Sequence, residues 1–126
     1  MGVTYDTGAL VAAERNDRRM RALHAGFLAE EVVPTVPAPV LAEAWRSGSR
    51  QASLSRLPAM CDVEAMTDAQ ARQVGILSGK ASHDDIVDVA VVEGAIRRGD
   101  SVVTSSAAHI IKVASAARNR LAIETI

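Results

Sequence analysis

Along the chain, short apolar runs that are typical of β-strands alternate with segments whose hydrophobic residues recur at the spacing of an amphipathic helix. The apolar stretch Val3–Tyr5 carries β-branched and aromatic residues and stops at the carboxylate of Asp6, which predicts a buried strand over about 2–6. An Ala/Leu/Val run with helical spacing then continues to about Glu14. A second, amphipathic helix is expected after Asp17, which has the chemistry of an N-cap.

The rest of the chain repeats this alternation. Strands are predicted at 32–36, 61–65, 100–104 and 121–126, and helices at 40–45, 50–60, 67–79, 82–98 and 107–117. Local signals support several of these boundaries: prolines at 37 and 39 suit a first helical turn, Thr67 and Gln70 form a capping-box pattern, and Gly99 suits a C-cap. Strands that alternate with helices predict one α/β domain over 1–126, with a central parallel sheet covered by helices on both faces.

Composition agrees with a globular domain and narrows its function. Hydrophobic residues make up 48% and charged residues 23% of 126 positions, and aromatics only 2%, so small aliphatic side chains must form the core. The formal net charge of −1 gives no global basic field, so RNA or DNA would need a local patch. Arginines near the acidic positions could supply one: Arg15, Arg18, Arg19, Arg46, Arg50 and Arg56.

Other protein classes are excluded by simple features of the sequence. The single cysteine, Cys61, rules out an internal disulfide framework and a multi-cysteine zinc site. No apolar run reaches membrane-spanning length, and the N-terminus lacks the pattern of a signal peptide. We therefore expect a cytoplasmic protein with no membrane partner.

Carboxylates interrupt apolar segments at three places. Asp6 follows the first strand, Glu43 lies within the apolar helix at 40–45, and Asp88 lies among valines, three residues after Asp85. Some of these acids have purely structural explanations: Asp6 and Asp85 can cap helices, Ser82 with Asp85 resembles a capping box, and Glu43 can pair with a nearby arginine. Asp88 lies beyond the cap position and has no such simple explanation.

Taken together, these acids predict a shared carboxylate pocket. Carboxylates held close together repel one another unless a cation neutralises them. Oxygen ligands favour Mg²⁺ or Mn²⁺, which can activate water and offset the charge of a phosphoryl transition state. The pattern therefore favours metal-dependent hydrolysis of a phosphate ester.

Three segments resemble the acidic motifs of PIN-domain ribonucleases, and their order and spacing agree with that family. They are Thr4–Leu10, Pro37–Arg46 and Asp85–Ala90. The segment Ser101–Ser105 resembles the strand that carries the fourth motif. The resemblance extends over nearly the whole chain and is greatest to the toxins of VapBC toxin–antitoxin pairs of actinobacterial type.

This resemblance implies a Rossmann-like PIN fold, a homodimer and endonucleolytic cleavage of RNA that depends on Mg²⁺ or Mn²⁺. It also implies a cognate antitoxin that wraps the toxin and blocks its site. Carried over by position, Asp6, Glu43 and Asp88 form the catalytic and metal-binding acidic cluster, and Asp85 is an additional acid of that cluster.

The sequence departs from the family pattern at Ser106, where an aspartate usually stands. A serine hydroxyl can donate a hydrogen bond to water or phosphate but brings no charge, so Thr104 and Ser106 are expected at most as auxiliary residues. One alternative is a phosphatase of the haloacid-dehalogenase type, although its second aspartate is replaced by Gly8. Another is a PIN-fold module that binds RNA or antitoxin without cutting.

Overall fold

The computed structural model describes residues 2–45 and 60–126. The helix predicted at 50–60, together with Arg46, Arg50 and Arg56, lies outside these residues. The strands are β1 (Val3–Tyr5), β2 (Thr35–Pro37), β3 (Asp62–Glu64), β4 (Ser101–Thr104) and β5 (Ile123–Thr125). The helices of the described part are α1 (Thr7–Glu14), α2 (Arg18–Ala29), α3 (Ala38–Ala44), α4 (Asp68–Ala81), α5 (Ile86–Arg98) and α6 (Ala107–Ala116).

The five strands form one sheet in the order β3-β2-β1-β4-β5, and every pair is parallel. In the centre of the sheet, Thr4 is aligned with Thr35 on one side and with Val102 on the other. The predicted α/β class with a central parallel sheet is therefore confirmed. Because all strands run the same way, every strand ends at the same edge of the sheet, which we call the carboxyl edge.

Two neighbouring residues of β1 show that helices cover both faces of the sheet. The Thr4 hydroxyl donates to Asp100 Oδ2 at 2.8 Å and accepts from Arg98 at the end of α5, also at 2.8 Å. The side chain of Tyr5 points to the other face, because successive side chains alternate along a strand. There its hydroxyl lies 2.8 Å from His24 Nδ1, and its ring packs beside Phe27, both on α2.

The core consists mainly of small aliphatic side chains, as the composition requires. Val89, Val91 and Val92 of α5 are fully buried against β1, β2 and β4. Leu10 and Met20 fill the opposite face. None of the helices in the described ranges has the length and apolar character needed to cross a membrane.

Helix caps decide most of the boundaries, and several predicted caps are confirmed. Asp17 accepts from Met20 N at 2.9 Å, and Thr67 and Gln70 form a complete capping box. Gly99 ends α5 in the left-handed conformation with φ of 72°. Pro37 and Pro39 flank the start of α3 as predicted.

Three predicted details are wrong. The second strand lies at Thr35–Pro37 rather than 32–36, because Val32 N donates back to Phe27 O at 2.8 Å and belongs to the end of α2. The last strand is limited to Ile123–Thr125 instead of 121–126. The helix predicted at 82–98 begins only at Ile86, and Ser82 does not form a capping box with Asp85: Ser82 ends α4 with φ of 49°, and Asp85 alone caps α5.

Candidate active site at the carboxyl edge

The polar residues predicted to act together lie at the carboxyl edge, where β1 and β4 end side by side. From β1 the chain continues towards β2 and β3, whereas β4 continues to β5 on the other side. Such a reversal of strand order opens a crevice, where ligands bind in open α/β sheets. Helix α5 leads into the amino end of β4, so its own N-terminus lies near this crevice.

Asp6 is the buried acid of this crevice, with only 4% of its surface exposed. Its Oδ1 accepts from Ala9 N at 2.8 Å and so caps α1, while its Oδ2 accepts a short hydrogen bond from the Thr104 hydroxyl. Its own N–H donates to Val103 O at 3.2 Å, which joins the end of β1 to β4. The capping explanation of Asp6 is therefore correct for one oxygen, and the other oxygen faces the end of β4.

Burial raises the pKa of Asp6 above its usual value, because desolvation penalises the charged carboxylate. Hydrogen bonds from Thr104 and from the backbone N–H groups of Ala9 and Ser105 oppose this shift. The negative charge of Asp88 raises the pKa of Asp6 further. Asp6 after β1 and Asp88 on α5 are therefore near enough for the charge of one to affect the other.

Close packing between Gly8 and Ser105 determines the shape of the pocket wall. A Cβ atom at position 8 would lie 1.8 Å from Ser105 Oγ and 2.7 Å from Ser105 Cβ. Both distances are too short for a side chain at this position. The second aspartate that a haloacid-dehalogenase-type phosphatase requires therefore has no room here, which argues against that alternative.

Asp88 lies in the first turn of α5, and 15% of its side chain is exposed. Two imidazoles contact the same carboxylate oxygen: His83 Nε2 lies 2.9 Å from Asp88 Oδ2, and His109 Nδ1 lies 3.3 Å from it. His83 is buried, whereas 60% of the His109 side chain is exposed. Asp88 therefore contacts one buried and one exposed imidazole.

Asp85 and Glu43 are held by the helices that border this pocket. Asp85 Oδ1 accepts from Val87 N at 3.0 Å and from Asp88 N at 3.3 Å, so Asp85 is the N-cap of α5 and is itself exposed. Glu43 is half-buried in α3, which packs against α1 and α5. The roles assigned to these two acids stay predictions.

Thr104 and Ser106 lie where β4 meets α6. Thr104 is fully buried, and its hydroxyl oxygen accepts from Ser106 N at 2.7 Å while its hydrogen goes to Asp6. Ser106 occupies the N-cap position of α6 but makes no side-chain capping bond. Thr104 thus orients Asp6 directly, and the hydroxyl of Ser106 is not used by the helix cap.

His83 and His109 are the two residues near the acids that sequence reasoning missed. His83 precedes Asp88 by five residues, which is not a helical spacing, and His109 comes from α6, which is remote in sequence. Only the position of His109 could have indicated a role in the site, since His109 lies in the first turn of the helix that follows the strand with the fourth motif. The fold brings both rings together, with centroids 5.2 Å apart.

Together these features define a small all-parallel α/β protein with interacting carboxylates at the switch point of its sheet. No protein-family model matches the sequence, and no curated protein matches it. By structure, the chain is similar to a chain in the crystal structure of VapBC2 from Rickettsia felis bound to a DNA fragment from their promoter. The TM-score is 0.70, and the match covers 100% of this chain and 99% of that chain. Sequence identity is 13%, so the likeness shows the fold, and that fold agrees with the predicted PIN architecture.

The donor chemistry of the pocket suits a divalent cation. The described part of the pocket offers carboxylate oxygens from Asp6 and Asp88, whose mutual repulsion a cation would relieve. Hard oxygen ligands of this kind fit Mg²⁺ or Mn²⁺. Asp85 adds a further negative charge at the start of α5, next to Asp88.

Proposed function

We propose that this protein is an endoribonuclease that depends on Mg²⁺ or Mn²⁺ and acts as the toxin of a toxin–antitoxin pair. The observation that carries this proposal is the placement of the buried Asp6 at the end of β1 and of Asp88 in the first turn of α5, both at the carboxyl edge where the strand order reverses. The likeness of the whole fold to a chain of VapBC2 supports the class of protein. We infer further that Asp6, Asp88, Glu43 and Asp85 are the catalytic and metal-binding acids.

A divalent ion held by these acids would supply an activated water and offset the charge that develops on the scissile phosphate. The protein's own contribution is to fix the carboxylates in advance. The backbone N–H of Ala9 holds Asp6 Oδ1 in place, and the Thr104 hydroxyl holds Oδ2. Such positioning avoids reorganisation during the reaction, which is a large part of electrostatic catalysis.

The proposed substrate and partners follow from the same proposal, a toxin ribonuclease of a toxin–antitoxin pair. RNA would approach the carboxyl edge from the side where Asp88 and His109 are exposed. The proposed partners are a cognate antitoxin that covers this edge and a second copy of the chain. Unpaired bases are the usual targets of sequence-specific RNA recognition, so we expect cuts in loops or single-stranded segments.

Cleavage of a panel of structured RNAs by the tag-free, antitoxin-free protein tests the proposal. Parallel reactions contain Mg²⁺, Mn²⁺ or EDTA, and Asp6→Asn is the inactive control. We expect cuts at defined positions that need the metal and are lost in the variant. Cuts that persist in EDTA, or an Asp6→Asn protein that cuts as well as the unaltered chain, would refute the assignment.

One observation favours a second candidate, a PIN-fold module that binds RNA or antitoxin without cutting. Ser106 brings no charge to the position where the resemblance places a fourth acid. Titration calorimetry separates the two, since the enzyme should bind Mn²⁺ or Mg²⁺ at millimolar concentrations or below. Absence of binding in that range, with RNA still retained, would support the module.

A further inference from the structure

Two histidines and one aspartate converge at the solvent side of the carboxyl edge, and we call them the His83–Asp88–His109 cluster. One potential ligand atom from each residue lies within 4.8 Å of the others. The two contacts to Asp88 Oδ2 measure 2.9 Å from His83 Nε2 and 3.3 Å from His109 Nδ1. The imidazole rings are arranged edge to face.

The backbone around His83 holds its ring in place before any ligand arrives. Ser82 adopts a left-handed conformation and ends α4, which turns the chain towards α5. Ser78 Oγ donates to His83 O at 2.7 Å, and His83 N donates to Ser78 O at 3.2 Å. His83 is therefore tied to the end of α4 while its ring reaches across to Asp88 on α5.

The spacing of the cluster suits a first-row transition metal ion. Zinc bonds of about 2.0–2.2 Å to imidazole nitrogen and carboxylate oxygen place neighbouring ligand atoms about 3.3 Å apart in a tetrahedral site. The 3.3 Å contact of His109 Nδ1 with Asp88 Oδ2 agrees with this value, whereas the 2.9 Å contact of His83 Nε2 is a hydrogen bond, which would lengthen slightly when an ion replaces its proton. Because the His109 side chain is 60% exposed, water can reach the remaining coordination position.

We propose that His83, Asp88 and His109 form a three-ligand site that binds Zn²⁺ more tightly than Mn²⁺ and discriminates against Mg²⁺. Imidazole suits Zn²⁺ and other first-row transition metals, while Mg²⁺ prefers oxygen ligands only. The inference goes beyond the proposed ribonuclease, to which only the acids were assigned, and it does not depend on RNA cleavage. Because Asp88 belongs to both groups, Zn²⁺ bound here removes a carboxylate from the Mg²⁺ or Mn²⁺ centre.

Lys112 places a positive charge next to this site, so its replacement offers a test in which Zn²⁺ binding should become tighter. Its ammonium nitrogen lies 3.4 Å from His83 Nδ1 and donates to Ser82 O at 3.1 Å. A positive charge at this distance disfavours a second cation nearby. Removal of the charge by Lys112→Met should therefore tighten Zn²⁺ binding.

Zn²⁺ affinity of the tag-free protein, measured by competition with a chromophoric chelator, tests the proposal. His83→Asn, His109→Asn and Asp88→Asn should each weaken binding at least about 10-fold, the lower limit known even for residues that only support metal ligands. Asp84→Asn is the matched control, because Asp84 is an exposed acid of the same loop outside the cluster. Asp84→Asn should leave the Zn²⁺ affinity unchanged. In the same way, His109→Asn should leave the affinity for Mg²⁺ unchanged.

The outcome is clear even if the buried His83 variant fails to fold, since His109 is exposed and its replacement should preserve the structure. Zn²⁺ affinity unaltered by His109→Asn, or lowered as much by Asp84→Asn, would overturn the proposal. A protein that binds Zn²⁺ through the histidines but does not cut RNA refutes only the proposed ribonuclease. A protein that cuts RNA with Mg²⁺ but lacks histidine-dependent Zn²⁺ binding refutes only the zinc site.

Discussion

At the scale of single residues, Asp6 is both the cap of a helix and the most deeply buried acid of the pocket. Burial and the negative charge of Asp88 raise the pKa of the Asp6 carboxyl group, and hydrogen bonds from Thr104 and from backbone N–H groups oppose this shift. A buried acid in a crevice whose pKa is shifted by desolvation and by a specific charged neighbour is a candidate for a functional site. The capping bond alone would not require a negative charge, because asparagine caps a helix equally well.

The first residue-scale prediction compares Asp6→Asn with Thr104→Val. Asp6→Asn removes the repulsion from Asp88, keeps an oxygen to accept from Ala9 N and presents an amide N–H that can donate to the Thr104 hydroxyl oxygen, so its melting temperature should equal or exceed that of the unaltered protein. Thr104→Val leaves a buried carboxylate oxygen without its donor and should lower the free energy of unfolding by about 1–3 kcal/mol. Thermal and urea unfolding at pH 7.5 measure both. A clear loss of stability in Asp6→Asn would mean that Asp6 is mainly structural.

A second prediction concerns His24, whose pKa is lowered by burial. His24 Nε2 is buried without a hydrogen-bond partner among the described residues, and Nδ1 lies 2.8 Å from the Tyr5 hydroxyl. Because the folded-state pKa lies below the unfolded value near 6.5, the unfolded chain binds more protons as the pH falls. His24 should therefore lower the free energy of unfolding as the pH falls below about 6.5.

Urea unfolding at pH 7.5 and pH 5.5 checks this sign for the unaltered protein and for His24→Asn. The variant lacks the imidazole, so the stability difference between the two proteins should shift in favour of the variant at the lower pH. A difference that does not change with pH would contradict the assignment.

At the scale of elements, the candidate site lies where three parts of the fold meet: the N-terminus of α1, the N-terminus of α5, and the junction of β4 with α6. Acids at helix N-termini are stabilised by backbone N–H groups and by the helix dipole. An acid at such a position can therefore cap the helix and also act in a site, so a cap explanation does not exclude a functional one. Substitutions that keep the cap but remove the charge can separate the two.

Asp85 is the residue at which the effect of the helix cap and the effect of the negative charge can be separated most clearly. Both of its capping bonds use Oδ1, so Asp85→Asn should keep the cap, whereas Asp85→Ala should lower the free energy of unfolding by roughly 0.5–2 kcal/mol. If the charge of Asp85 supports the metal centre, both variants should bind Mn²⁺ more weakly. Calorimetry and urea unfolding of the pair measure the two effects, and unchanged Mn²⁺ affinity in both would reduce Asp85 to a cap.

Ser106 gives the second prediction at this scale. Ser106→Asp places a carboxylate at the N-cap of α6, where no side-chain capping bond is present and where the helix dipole favours negative charge. The variant should bind Mn²⁺ more tightly and cut RNA faster than the unaltered chain. Ser106→Asn, which can cap but has no charge, is the matched control. Equal gains in both variants would attribute the effect to capping.

At the scale of the whole molecule, the order β3-β2-β1-β4-β5 is what unites residues that are far apart in sequence. Asp6 and Thr104 lie 98 positions apart yet share a hydrogen bond, because β1 and β4 are neighbours in the sheet. On the opposite face from Tyr5, the bonds among Thr4, Arg98 and Asp100 fasten the end of α5 to the strands. The start of α5, and with it Asp88, is thereby positioned at the carboxyl edge.

Local signals in the sequence predicted the elements well where a cap or a change of period marks the boundary. Asp17, the Thr67 capping box and Gly99 are examples, since their bonds form within a few residues. The second strand was misplaced because the return of Val32 to the end of α2 depends on a turn with Glu31 at φ of 61°, which its sequence does not signal.

For the candidate site, the sequence could single out the acids Asp6 and Asp88 but not their surroundings. Asp6 and Asp88 stood out because each interrupts an apolar segment. The contacts of Asp88 with His83 and His109 depend on how α4, α5 and α6 pack together, and no local pattern encodes that packing. The close approach of Ser105 to Gly8 likewise becomes visible only in three dimensions.

The decisive experiment compares the rate of RNA cleavage by Asp6→Asn with the rate of cleavage by Asp17→Asn. Both aspartates cap a helix through one oxygen, at 2.8 Å to Ala9 N and 2.9 Å to Met20 N, but Asp17 caps α2, away from Thr104 and Asp88. With saturating Mn²⁺, Asp6→Asn should lose at least about 100-fold in rate, as expected when a group that stabilises the transition state is removed. Asp17→Asn should cut at the rate of the unaltered protein. Equal rates for the two variants would contradict a catalytic role for Asp6 and, with it, the account of this edge as a metal-dependent nuclease site.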